Sequence, residues 1–267
     1  MIVGDNMEDC IKIENLNNKY LKDINLTIKK NTFNTIIGPS GSGKTSLVKV
    51  IVGIAEHEGN IIIDNLELKK ENLKKIRENV GIVLENVNDT FIGETVKEDL
   101  MFTLENRGLE ATEINNRIEE MAKLLKIEDL LDYSIEHLSG GEKTLVALAN
   151  ALIIKPQILI LDNSFSSLDG VIGEKIFKFL KKQKNLTIIN ITTNVEECLY
   201  GENTIVMNDG KIIFSGSNLE VFSYDKKLKS IGIDIPFMIE LSSKLKYYGL
   251  VDEPILDIDK MVNHLWK

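Results

Sequence analysis

Gly38-Pro39-Ser40-Gly41-Ser42-Gly43-Lys44-Thr45, followed by Ser46, decides the fold of this chain. It fits G-x-x-x-x-G-K-[ST], and its setting fits too: the apolar run Phe33 to Ile37 precedes it, and residues 45 to 52 put Leu47, Val48 and Ile51 on one side of a helix. Glycines let backbone N–H groups turn inward around a chain of phosphates, and the helix N-terminus adds its positive end. Lys44 is then placed to reach the outer phosphates, and Thr45 to offer a hydroxyl to Mg²⁺. Such a loop needs a second magnesium partner, an acid at the end of a buried strand. Asp162, directly after the all-apolar Ile158 to Leu161, is that acid.

Outward from the loop, short apolar strands at Ile11 to Leu16 and Ile24 to Ile28 precede it, and another at Asn60 to Asp64 follows. Ile114, Ile118, Met121, Leu124 and Leu125 fall at helical spacing and predict a helix over 113–127, with a second over 142–153. Lys155-Pro156 ends this helical section, since proline cannot continue a helix. A helix near 172–183 and strands at Leu186 to Ile191 and Thr204 to Met207 resume the alternation. The pattern is an α/β core with a mainly parallel sheet, a helical subdomain inserted into it, and a tail after about residue 216.

The chain has 267 residues and a net charge of -9, which argues against nucleic acid as a partner, because neutralising phosphates needs a basic face. The first ten residues carry acids and no sustained apolar stretch, unlike an export signal. No apolar run approaches the roughly 20 residues of a bilayer-crossing helix, so a membrane role has to pass through a partner. The two cysteines, Cys10 and Cys198, lie far apart without metal-like spacing and suit a reducing compartment.

Leu138-Ser139-Gly140-Gly141-Glu142, some twenty residues before Asp162, resembles the signature motif of ABC ATPases. Ser167-Leu168-Asp169 resembles that family's D-loop, and Tyr20 the aromatic that stacks on adenine, with core packing as the alternative for Tyr20. Val80-Gly-Ile-Val-Leu-Glu-Asn86 with Phe91-Ile-Gly-Glu-Thr-Val-Lys-Glu-Asp99, and the tail stretch Ile231-Gly-Ile-Asp-Ile-Pro-Phe237, are similar to the ATPase subunits of energy-coupling factor transporters, which import vitamins or metal ions. The resemblance implies a P-loop NTPase core with antiparallel N-terminal strands over residues 8–215, a helical subdomain at about 89–155, and a C-terminal extension over 216–267. It implies ATP and Mg²⁺ as cofactors, with Tyr20, Gly38 to Ser46 and Asp162 binding nucleotide. It also implies head-to-tail dimers in which Ser139, Gly140, Gly141 and Glu142 serve the ATP of the other chain. The implied partners are a second ATPase, an integral membrane coupling protein and a substrate-capture protein, at the cytoplasmic face of the membrane, with residues 85 to 99 meeting the coupling protein.

Three positions depart from the family's pattern. Asn163 stands where a glutamate polarises the attacking water; its amide holds a water but cannot take its proton, and losing a general base costs about 10²- to 10⁴-fold in rate. Thr193 replaces the switch histidine in Thr192-Thr193-Asn194, and none of His57, His137 and His264 stands in by position. Glu85 occupies the Q-loop glutamine position, where a carboxylate can still ligate Mg²⁺ beside Thr45 and Asp162 but repels phosphate oxygens. The expectation is a chain with an impaired site of its own that lends its signature to a catalytically complete partner. The competing expectations are a homodimer with slow hydrolysis, a regulatory or structural module that uses ATP to hold a dimer, and a soluble protein acting on ribosomes or DNA. The last is disfavoured by the acidic balance and by the lack of basic extensions.

Overall fold

The computed structural model describes residues 8–266; residues 1–7 and 267 lie outside the described residues, and with them most of the opening stretch read above as unlike an export signal. The chain opens with β1 (Asp9–Asn17) and β2 (Ile24–Lys29), an antiparallel pair. In β2 the residues Ile24, Leu26 and Ile28 are buried while their neighbours face water, the period-two pattern of a strand covered on one side. β3 (Phe33–Ile37), buried at every position, belongs to a second sheet and hands the glycine-rich loop to α1 (Lys44–Ile51). β4 (Glu58–Ile63) and β5 (Leu66–Glu67) complete the first sheet in the order β2-β1-β4-β5.

After α2 (Leu73–Glu78), β6 (Val80–Val83) enters the second sheet, and the helical insert follows as α3 (Val96–Glu105), α4 (Ala111–Leu125) and α5 (Gly140–Ile153). β7 (Ile158–Asp162), α6 (Gly170–Lys181), β8 (Thr187–Thr192), β9 (Asn203–Asn208) and β10 (Lys211–Ser217) complete the core. The second sheet runs β10-β9-β3-β8-β7-β6, parallel throughout except for the β9–β10 hairpin. The tail adds α7 (Asn218–Phe222), α8 (Asp225–Ser230), α9 (Phe237–Tyr247) and α10 (Ile258–Leu265).

Register positions the site. Ile37 lies opposite Thr192, Asp162 opposite Ile191, and Val83 opposite Leu161. The loops after β3, β6, β7 and β8 therefore leave the sheet at one edge, the carboxyl ends of parallel strands where α/β folds bind ligands. One core fills the space between the two sheets and α1, another joins the helical insert to β7 and α6, and a third packs Val221, Phe222 and Ile239 of the tail against Ile37 and Val206. Among the described residues no helix is long and apolar enough to cross a membrane.

The periodic helix expected over 113–127 is α4, ended by Lys126 in the left-handed conformation. Its buried stripe is Ile114, Ile118, Ala122 and Leu125, whereas Leu124, one position round the helix, is 48% exposed. β6, α3 and β10 went unread in the sequence. β6 is only four residues long, and the start of α3 is fixed by a capping box in which Thr95 and Glu98 satisfy each other's backbone N–H.

Candidate functional site

Gly38 follows β3 where a Cβ would lie 2.2 Å from the carbonyl oxygen of Met207, so no larger residue fits. Gly43 caps α1 at φ 103° with no side-chain acceptor, leaving the first N–H groups of the helix available to an anion. Lys44 is buried, and its Nζ donates to the carbonyl oxygens of Gly38 and Pro39 at 2.7 and 2.9 Å and to Ser42 Oγ at 3.3 Å. Burial lowers the pKa of its ammonium, with Asp162 and Glu85 pulling the other way. The loop thus folds around its own cation, held where an outer phosphate would meet it.

Asp162 ends β7 at 2% exposure, and Thr45 Oγ1 donates to its Oδ1 at 3.3 Å. Burial raises the Asp162 carboxyl, Thr45 counteracts this, and the charge of Glu85 adds to the rise. A hydroxyl and a carboxylate side by side are hard oxygen donors that fit Mg²⁺, which takes few protein ligands and completes its shell with water and phosphate. Among the described residues no three or more His, Cys, Asp or Glu cluster as a metal cage.

Asn163 sits at φ 48°, a conformation asparagine tolerates, and its backbone N–H donates to Ile191 O at 2.7 Å. Its side-chain Nδ2 donates to Glu85 Oε1, also at 2.7 Å. Ser40 to Ser46, Tyr20, Glu85, Asp162, Asn163 and Thr193 all line one cleft of about 760 Å³. Tyr20 is 58% exposed, which removes core packing as its role, and Lys19 Nζ lies 5.3 Å from its ring centroid. None of the three histidines lines this cleft.

Sequence reading missed Gly210 and Asp209 at the cleft rim. Gly210 N–H donates to Ser42 O at 3.0 Å and its carbonyl accepts from Lys22 N–H at 2.8 Å, so the β9–β10 turn ties the phosphate loop to the Tyr20 segment. A Cβ at 210 would meet Tyr20 O at 2.2 Å. The dipeptide Asp209-Gly210 between two apolar runs was the available signal, a hairpin turn.

Ser139, Gly140, Gly141 and Glu142 do not line the cleft; they form the head of α5. Ser139 caps the helix: its Oγ accepts from Glu142 N–H at 3.3 Å, and Glu142 Oε2 accepts from Ser139 N–H and Oγ at 2.8 and 2.7 Å. These donors hold the Glu142 carboxyl below its usual range. Thr144 Oγ1 meets Ser167 Oγ at 2.8 Å, so the head of α5 is braced against the segment after Asn163, and Asp169 caps α6 through Val171 N–H.

The sequence profile of the family described as ABC transporter matches residues 21–166. Over 97% of its length the chain is 37% identical to the energy-coupling factor transporter ATP-binding protein EcfA1 of Clostridioides difficile (strain 630), covering 99% of that protein. It is 34% identical to the Bacillus subtilis (strain 168) protein of the same name, over 98% of each chain. Among solved structures, cbiO1 of Clostridium perfringens, part of the ABC transporter complex cbiONQ, superposes with a TM-score of 0.74 at 31% identity, over 88% of this chain and 100% of that one. A dimeric ATP-binding cassette in a post-hydrolysis state bound to ADP and Pi superposes with a TM-score of 0.71 at 29% identity, over 78% and 98% of the two chains.

Proposed function

Because the chain belongs to the ABC transporter family, and within it to the energy-coupling factor ATP-binding proteins, we propose that it is the weaker half of a paired ATPase driving an importer of a vitamin or metal ion. The observation that carries this reading is the asymmetry of the chain. The residue after Asp162 is Asn163, bound to Glu85, while the serine and glycines at the head of α5 are intact. In this reading Gly38 to Ser46 hold the phosphates, Tyr20 the base, and Thr45 and Asp162 the Mg²⁺, with Glu85 beside them. Ser139, Gly140, Gly141 and Glu142 reach across a head-to-tail dimer to the nucleotide of a catalytically complete partner.

Closure of that dimer on ATP is the mechanical step, a shift of population toward the state that nucleotide binds best. Energy reaches the membrane through an integral coupling protein seated near residues 85 to 99, and a separate protein captures the substrate. The ATP-binding unit is residues 8–215 and the extension 216–267, the whole lying peripherally at the cytoplasmic face. The cbiONQ complex, of which the relative cbiO1 is part, supports such an assembly. A module that holds ATP only as dimer contact is the second reading, favoured by the amide of Asn163 where a base would stand.

The test is to tag the chain in its host, solubilise membranes gently and identify what co-purifies by mass spectrometry. A second ABC ATPase bearing the missing glutamate and histidine, with an integral membrane protein, is the expected outcome. Recovery of this chain alone overturns the paired reading.

A further inference from the structure

Glu85 and Asn163 are brought together by the sheet. β6 and β7 pair with Val83 opposite Leu161, so the second residue beyond each of these two positions meets the other. Asn163 Nδ2 donates to Glu85 Oε1 at 2.7 Å, which fixes the amide with its nitrogen toward the carboxylate and pins the carboxylate in turn. Glu85 Oε2 has no hydrogen-bond or ionic partner among the described residues, and the side chain borders the cleft that holds Lys44, Asp162 and Thr193. A carboxylate beside a phosphate site is repelled by its ligand. Its chemical uses there are to accept a proton or to ligate a cation.

We propose that Glu85 is the catalytic base for hydrolysis in this chain's own cleft and that Asn163 is its positioning residue, the carboxylate and amide having exchanged places across the site. The inference rests on the reading of the cleft as an ATP site and deepens it: the site is slowed, and its remaining turnover runs through Glu85. A water held against Glu85 Oε2 gives its proton to the carboxylate as its oxygen bonds to the γ-phosphorus. The bond from that phosphorus to the β–γ bridging oxygen breaks, ADP leaves with the electron pair, and the proton passes from Glu85 to the released phosphate. The base is anchored by a donor on the neighbouring strand end, the support a general base needs to stay within hydrogen-bond reach of its water.

The test uses the complete membrane complex isolated through this chain, with the phosphate-loop lysine of any companion ATPase replaced by alanine so that only this site turns over. If no companion is recovered, the paired reading fails, and the same series is run on the full-length chain as its own dimer. Four variants, K44A, E85Q, N163E and E85Q/N163E, are compared with the parent for single-turnover ATP hydrolysis, ATP affinity without metal, the Mg²⁺ concentration for half-maximal binding, and Tm.

The expected result is a parent rate above that of K44A and an E85Q rate lower by about 100-fold, within the range for loss of a general base, with Mg²⁺ dependence and Tm unchanged and metal-free ATP bound more tightly because one repelling charge is gone. N163E sets two carboxylates against each other and lowers both affinity and rate; E85Q/N163E, with the pair traded back, regains at least the parent rate. The proposal is overturned by a parent no faster than K44A, by an E85Q rate equal to the parent's, by an E85Q defect that excess Mg²⁺ repairs, or by a double variant no better than N163E.

Discussion

Lys44 bonds three oxygens of its own loop while buried, so its charge is already desolvated before a phosphate arrives. Replacing it with alanine removes one charge-assisted contact to the ligand, each worth about 1.5–3 kcal/mol, and we expect ATP affinity to fall by roughly 10- to 100-fold with the fold retained. Titration calorimetry on Lys44→Ala checks this, and a fall of less than about three-fold would show that the ammonium does not reach the nucleotide. Glu197, on the turn behind the switch residues, is a different case. Burial raises its carboxyl above the ordinary 4.5, although Asn190 Nδ2 donates to it at 2.8 Å. In the pH window between the ordinary and the raised value the folded chain retains this proton better than the unfolded chain does, so the contribution to stability is full below 4.5 and is lost as pH rises through the raised value. Glu197→Gln is expected to be more stable than the parent near neutral pH, with the difference vanishing below the ordinary carboxylate range. Denaturant melts across pH measure it.

Among elements, the ones carrying the phosphate site were the most legible in the sequence. The loop after β3 and the start of α1 announced themselves because the loop chemistry demands fixed residues, and β7 with Asp162 because a buried parallel strand is apolar without interruption from Ile158 to Leu161. β9 was read but its partner β10 was missed, because β10 is only half-buried and the Asp209-Gly210 turn signal between them was passed over; the Glu85–Asn163 bond could not be read, because it joins residues 78 apart through strand register. The head of α5 was legible as a motif but not as a cap. That cap predicts separable effects. Ser139→Ala removes the acceptor for Glu142 N–H and is expected to cost about 1 kcal/mol, whereas Glu142→Gln keeps an acceptor for Ser139 N–H and leaves Tm nearly unchanged. Both are read by thermal unfolding. Equal losses would mean that the reciprocal bonds are not what holds the helix start.

At the scale of the molecule, the tail is part of the core. Ile239 of α9 is buried with Ile37, which immediately precedes the phosphate loop, and with Val206 of β9. Ile239→Ala is expected to destabilise the chain by about 2–5 kcal/mol, measured by urea unfolding, while a loss below about 0.5 kcal/mol would mark the tail as an independent appendage. Phe237 N–H, in the first turn of α9, donates to Glu196 Oε1 at 2.7 Å, and Glu196 lies three residues beyond Thr193. Leu199, on the same turn, is wedged between the core shared with the sheet and the cluster of Met238, Val251 and Met261. The segment that follows Thr193 and the far end of the chain thus share one short stretch of backbone, stitched to α9 by a charge-assisted bond from Phe237 and to α10 through the packing of Leu199 beside Met261.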